Sequence, residues 1–144
     1  MDAAFLDVLI FDVAGRRHGV PAADVQELLP ALALVPLPDA AAGVEGVFNL
    51  RGVIVPVLSA RHRFSAPARA VALSDHFIVI RHGGRLTALH VDQALEVARF
   101  DGAAISAVAA DGSPARVATV GDGLALLHSA GDLVAAAADP GGAP

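Results

Sequence analysis

Gly46-Val47-Phe48-Asn49-Leu50-Arg51-Gly52-Val53-Ile54-Val55-Pro56-Val57-Leu58 contains two strand-like runs around one reversal. Side chains alternate across a strand with a period of two. Val44, Gly46, Phe48 and Leu50 are therefore predicted on one face, with Glu45, Val47, Asn49 and Arg51 on the other. Arg51-Gly52 has the chemistry of a tight turn, because glycine tolerates the positive φ that a two-residue reversal needs. Val53 to Leu58 returns as a mostly buried strand. Pro56 has no N–H, which predicts an edge position or a bulge at that point.

Moving outward, the same pattern of short strands between Gly, Pro, Asp and Asn signals covers most of the chain. Phe5 to Val13 is the first strand, with apolar residues on both faces, so both sides are expected to be partly covered. Ala14 to Arg17 is turn-like and His18 to Pro21 returns. Pro21 to Leu29 predicts a helix: Pro21 suits the first turn, Pro30 ends it, and Val25, Leu28 and Leu29 fall at i, i+3 and i+4. On such a helix Glu27 points away from the apolar face. Leu32 to Leu37 is extended, and Arg61 to Leu73 is a surface connection. His76 to Arg81 and Leu86 to Val91 form a hairpin around His82-Gly83-Gly84-Arg85. Leu95 to Phe100 is a further strand, and Ala103 to Pro114 reads as small-residue loop with at most one helical turn. Ala115 to Val120 and Leu124 to His128 flank Gly121-Asp122-Gly123 as a last hairpin. Ser129 to Ala138 follows as a terminal helix capped by Ser129. Residues 1–139 are expected to make one all-β domain with small helices, a barrel or paired barrels, and residues 140–144 a frayed tail.

Composition supports a packed core. Of 144 residues 79 are apolar, and setting aside the 32 alanines still leaves 47 large hydrophobes, far above what disordered chains carry. With 10 Arg, no Lys, 12 Asp and 3 Glu, the net charge is −5, which opposes nucleic-acid binding because that needs a basic face. The absence of cysteine excludes disulfides, thiolate metal sites and cysteine nucleophiles. No apolar run approaches the roughly 18 to 20 residues that span a bilayer. Met1-Asp2-Ala3-Ala4 lacks the positive start of a signal peptide. The expected setting is cytoplasmic, with no direct membrane insertion.

No catalytic pattern emerges. His18, His62, His76, His82, His90 and His128 form none of the metal-ligand spacings, so no metal is expected. Ser74-Asp75-His76 holds triad residue types, but adjacent side chains diverge and cannot line up as a relay. Ser59 lacks a nucleophile elbow, and the glycines of the 82–85 turn stand outside any phosphate-binding pattern. The chain is expected to have no catalytic residues and no cofactor.

The Asn49-Leu50-Arg51-Gly52 block, preceded by an aliphatic strand and followed by aliphatics around Pro56, resembles the signature of the CheW-like domain family. The similarity extends along nearly the whole chain. Val25-Gln26-Glu27-Leu28 resembles the family's Val-x-Glu-aliphatic helix, Gly83 to Asp92 with Leu95 to Val97 its strand–turn–strand with a Val-Asp-x-x-x-x-Val element, and Gly121 to Leu133 its last hairpin and helix.

The resemblance implies two small five-stranded SH3-like β-barrels sharing a hydrophobic core, with short helices. It implies a non-catalytic adaptor in bacterial chemosensory signalling, monomeric when free. Its partners would be the cytoplasmic tip of chemoreceptors (methyl-accepting proteins) and the regulatory domain of a CheA-type histidine kinase. By residue, Glu27 and Arg51 match a charged pair near the receptor groove; Val25, Gly46 and Ala88 match groove-lining positions; and Asn49 belongs to the signature itself. From the residues alone, Arg51 pairing with Glu27 to fix local structure and Arg51 contacting a partner are both open. For Val25 a core position is favoured, and for Gly46 a close backbone approach. Three departures are noted: Ala88 stands where glycine is usual, Ser59-Ala60-Arg61 replaces Asp-Leu-Arg, and the segment between Phe100 and Gly121 is short. Two other roles fit the same residues: an adaptor in a pilus-motility or other non-flagellar system, and a small ligand-sensing β-domain.

Overall fold

The computed structural model describes residues 5–110 and 113–138. In chain order these residues form β1 (Phe5–Val13), β2 (Arg16–Pro21), β3 (Val25–Pro30), β4 (Val44–Leu50), β5 (Val53–Ser59) and α1 (Ala60–Arg63). Then follow β6 (His76–His82), β7 (Arg85–Val91), β8 (Gln93–Asp101), β9 (Ile105–Ala110), β10 (Ser113–Val120), β11 (Gly123–Leu127) and α2 (Ala130–Ala138). Two sheets result, in the orders β8-β1-β2-β11-β10-β9 and β3-β6-β7-β5-β4. The pair of small β-units is as expected, one sheet having five strands and the other six. No helix among the described residues is long and apolar enough to cross a membrane.

The sheets exchange strands. After β1 and β2, a 3-10 turn at Ala22–Asp24 carries the chain into β3, at the edge of the other sheet. After β6 and β7, Asp92 leads back into β8, at the edge of the first. Each sheet also curls. Val35, downstream of β3, exchanges both backbone hydrogen bonds with Val47 of β4, which brings the chain leaving one edge of the five-stranded sheet onto the opposite edge. In the other sheet the edge strands β8 and β9 are joined by one 3-10 turn, Gly102–Ala104.

Period-two alternation sends neighbouring residues into different cores. Val8 and Ile10 fill the six-stranded unit with Phe100, Val120 and Leu127. Phe77 and Val79 fill the five-stranded unit with Phe48, Val55, Val57 and Ala88. The residues in between, Leu9, Phe11 and Val13 from β1 and Ile78 and Ile80 from β6, meet in a third core closed by Leu133 and Val134 of α2. That is why β1 is apolar on both faces.

Four expectations are corrected. Pro21 to Leu29 is not a helix: it is a 3-10 turn followed by β3. A register shift between Val25 and Glu27 makes Gln26 a bulge residue, so Val25 opposite Ile80 and Leu28 opposite Ile78 share one face. Two strand residues three apart on one face imitate the helical i, i+3 spacing. Ala103 to Pro114 has the one helical turn allowed for it but is not otherwise loop: outside the undescribed residues 111–112 it holds β9 and the start of β10. Its alanines gave no alternation to read. Val44 does not share the core of Phe48 and Leu50, because a second register shift, between Val44 and Gly46, turns it to the shared core.

Pro56 sits neither on an edge strand nor at a bulge, since β5 lies between β4 and β7. Val47 uses both its backbone groups on Val35, so it meets Pro56 as a non-hydrogen-bonded pair, and the missing donor falls on the β7 side. The parallel ladder with β7 starts only at Val57–Ala88. The terminal helix and its cap are as expected, with Ser129 Oγ accepting from the Asp132 N–H at 3.1 Å. Residues 140–144 lie outside the described residues.

A shared core predicts joint unfolding. Ile80→Ala should lower the unfolding free energy by about 2–5 kcal/mol. Hydrogen exchange should then show β1 and β6 losing protection together, although they belong to different sheets. Loss of protection in one sheet only would refute the joint core.

Candidate functional site

The β4–β5 turn is built by its own sequence. Leu50 pairs with Val53, and the two intervening residues both have positive φ, Arg51 at 48° and Gly52 at 93°, as a type I′ hairpin turn requires. Asn49 Oδ1 accepts the Gly52 N–H at 2.7 Å and closes the turn. Arg51 is thereby held outward, two-thirds exposed, and its guanidinium grips the Glu27 carboxylate through both terminal nitrogens, one of them at 3.3 Å. The hydrogen bonds to Glu27 raise the Arg51 guanidinium above its ordinary range. Because β3 and β4 are opposite edges of the five-stranded sheet, this pair is a second tie, beside Val35–Val47, across the curl.

The other sequence-derived positions lie at different depths. Val25 is half-buried against the shared core. Gly46 has φ 151°, and a Cβ there would stand 2.6 Å from the Val35 carbonyl oxygen, so the close approach of the chain after β3 needs glycine. Ala88 has no exposed surface and sits in the core of the five-stranded unit, between Val57 and Val79. It lines no open groove, and its methyl affects the surface only through packing. Ser59, where the family has an acid, caps α1 by accepting the His62 N–H at 3.1 Å; serine and aspartate serve equally as caps.

Sequence reasoning missed a set of exposed apolar residues along the seam between the units. β8 lies against β6, whose outer neighbour is β3, and the Ala94 N–H donates to His76 Nδ1 at 3.2 Å. Leu28 on β3 and Val97 on β8 stand opposite Ile78 and Leu9, on the faces that form the shared core, yet 43% and 59% of their surfaces are exposed. The β1 face continues through Asp7, paired with Arg99 at 2.8 Å, to exposed Phe5, over which the guanidinium lies at 5.8 Å. The shared core thus runs out to solvent on this side. The signal was in the sequence, but the helical reading of Pro21 to Leu29 merged Leu28 with Val25 and Leu29.

Two polar clusters brace the frame. Asp75, fully buried at the side chain, takes Arg69, the Ala72 N–H and His90 Nε2, the last at 2.7 Å. Burial pushes its carboxyl up, but those hydrogen bonds win and hold it at about 2. His90 Nδ1 meets Glu45 at 2.8 Å; burial lowers His90, and the two carboxylates outweigh it and raise it. Asp92 gathers Arg61, Arg69 and the Ala14 N–H, tying α1 and the 66–75 segment to the β1–β2 turn. In the second cluster His18 Nδ1 lies 2.9 Å from His128 Nε2, and His18 stacks on Phe64 at 4.0 Å. Burial pushes both rings down to about 4, so each is neutral, one donating and the other accepting. Ser74 plays no part with Asp75. Among the described residues no three His, Asp or Glu converge as a metal site.

The model of the CheW-like domain family matches residues 7–137. The chain belongs to that family. The CheW-like domain here is 25% identical over 95 residues to the chemotaxis protein CheW of Helicobacter pylori, covering 66% of this chain and 58% of that one. Against the chemotaxis protein CheW of Klebsiella aerogenes it is 29% identical over 91 residues, 63% of this chain and 55% of that one. The matches thus span little more than half the length of these curated relatives. In fold it resembles the crystal structure of the scaffolding protein TtCheW from Thermoanaerobacter tengcongensis, with a TM-score of 0.79 at 23% identity, covering 86% of this chain and 88% of that one.

Two outcomes follow for this frame. A ring that is neutral when folded loses stability as pH falls from the free histidine value of 6.5 towards about 4, because the unfolded chain takes up the proton first. Thermal midpoints should fall over that window, and His18→Phe with His128→Leu should flatten the slope; an unchanged slope would remove the pair as its source. Asn49→Ala should lower the unfolding free energy by about 0.5–1.5 kcal/mol and speed exchange of the Gly52 amide.

Proposed function

We propose that this chain is a non-catalytic adaptor that couples chemoreceptors to a CheA-type histidine kinase, working in the cytoplasm as part of receptor complexes. Membership of the CheW-like domain family and relatives named as chemotaxis proteins support this role. The observation that carries it is the seam: Leu28, Val97 and Phe5 are exposed on the strand faces that carry Ile78 and Leu9 of the shared core, with the Asp7–Arg99 pair between Val97 and Phe5 and the Glu27–Arg51 pair on the other face of β3. Aliphatic and aromatic side chains flanked by arginine are the composition of a protein interface.

A helical receptor tip suits such a surface, since an amphipathic helix lays its apolar side along a groove and its charged flanks meet ions at the rim. Glu27 and Arg51 offer one charge of each sign there. Their mutual grip holds Arg51 in place before a partner arrives, which reduces the ordering cost of binding. Val25 and Gly46 serve the same surface from beneath, by packing and by the close approach to Val35.

Pull-down with a CheA-type kinase and the cytoplasmic part of a chemoreceptor from the same organism tests the reading. Wild-type protein should retain both. Val97→Asp should abolish receptor retention, and Arg51→Ala or Glu27→Ala should weaken it roughly three- to tenfold, with far-UV spectra unchanged. A folded wild-type protein that retains neither partner would end the proposal. Loss of folding in the Arg51 and Glu27 variants would assign the pair to structure alone.

A further inference from the structure

A separate surface opens where β5 and β7 part. The parallel ladder runs from Val57–Ala88 to Ser59–His90 and stops there. One more step, Val55 with Leu86, would need an N–H from Pro56, which has none. The strands diverge and leave a cleft of about 510 Å³, walled by Val53, Ile54 and Leu86 and rimmed by Arg81, His82 and Arg85. Val53 and Ile54 are 47% and 60% exposed. Pro56 directs its backbone towards β7, so Ile54, two residues earlier, presents its N–H and C=O to the same side, without a partner strand among the described residues.

The charge of this cleft opposes that of the chain. The whole carries −5, yet among the described residues no carboxylate lines the cleft. Arg81 donates to the neutral amide oxygen of Gln26 at 3.0 Å, and among the described residues neither Arg81 nor Arg85 is in an ion pair. An open backbone edge, aliphatic walls and an uncompensated cationic rim together match one kind of ligand, an extended strand in which carboxylates and aliphatics alternate.

We propose that the β5–β7 cleft docks an acidic, aliphatic extended segment of a partner protein, hydrogen-bonded to the Ile54 backbone and charge-paired with Arg85 and Arg81. The segment's aliphatic residues pack on Val53, Ile54 and Leu86 while its carboxylates reach the rim. Attraction across the rim favours this segment and rejects a basic one of the same shape. The surface does not include the seam residues or the Glu27–Arg51 pair, so it adds a contact to the adaptor and does not depend on the coupling role.

A fluorescein-labelled peptide of alternating glutamate and valine, titrated against the full chain by fluorescence anisotropy, is the test. Saturable binding is expected, weakened about tenfold or more by Arg85→Glu and by Ile54→Glu on the facing strand, and weakened by added salt. Exchange of the Ile54 amide should slow when the peptide is bound. Arg85 is exposed on a hairpin, so its variant should melt as the wild type does; if it does not, the Ile54 variant and the amide readout decide. A lysine–valine peptide binding equally well, or an Ile54 amide unmoved at saturation, overturns the proposal. Arg51→Ala should leave peptide binding intact, so failure here and failure of receptor coupling are told apart.

Discussion

Everything in this molecule depends on the core that neither sheet owns. Leu9, Phe11, Val13, Ile78 and Ile80 lie on faces that would be the outside of an isolated curled sheet, and each sheet supplies the cover for the other. A unit of some sixty residues buries too little surface to be secure alone. Joining two units face to face adds a third apolar cluster without lengthening the chain. The exchange of β3 and β8 makes that junction hard to undo, since pulling the units apart would strip an edge strand from each sheet.

The two units are built alike. In both, a hairpin (β1–β2, β6–β7) is flanked by the strand received from the other unit and, on its far side, pairs in parallel with a strand (β11, β5) that leads into a helix. Both of those helices are capped by a serine, Ser59 and Ser129. The sequence shows no repeat, because a topology constrains which positions are apolar and which turn, not which residue fills them. The likeness stops where charge enters. The five-stranded unit anchors its 66–75 segment by a buried carboxylate, Asp75, shared between Arg69 and His90, whereas the contact of His18 and His128 across β2 and the end of β11 is uncharged. Acid therefore acts on the two braces in separate pH ranges.

How much of this was legible follows from where the chain obeys a single period. The stretch from Gly46 to Leu58 could be read because alternation and a glycine turn agree with one another, although Val53 and Ile54, expected in a mostly buried return, are exposed. The hairpin at residues 76–91 and the terminal helix are equally plain. Reading failed where two periods mix. Gln26 interrupts β3 with a bulge, and the apolar spacing then mimics a helix; Glu27 was correctly paired with Arg51 by resemblance but placed on the wrong kind of element. In β9 the residues Ile105-Ser106-Ala107-Val108 hold too few large side chains to reveal a pattern, and the strand exists because β10 pairs with it. The seam residues were obscured for a second reason as well. Leu28 and Val97 look like core residues in sequence, and only the packing of β8 against β6 leaves them at the open end of the core.

The Asn-Leu-Arg-Gly block now has a physical content beyond its use as a signature. Leu50 anchors the strand end in the core, Asn49 closes the turn, Gly52 allows it, and Arg51 accepts a left-handed backbone that few side chains favour. A glycine at position 51 would adopt that conformation with less strain. The chain nevertheless places there a long cation that reaches across to β3, so the position is set by what the side chain does and not by turn stability. One residue further on, Val53 and Ile54 begin the strand that diverges from β7 because Pro56 cannot donate. A single hairpin therefore supplies one partner of an ion pair at one surface and an open strand edge at another, both built from thirteen consecutive residues, 46–58.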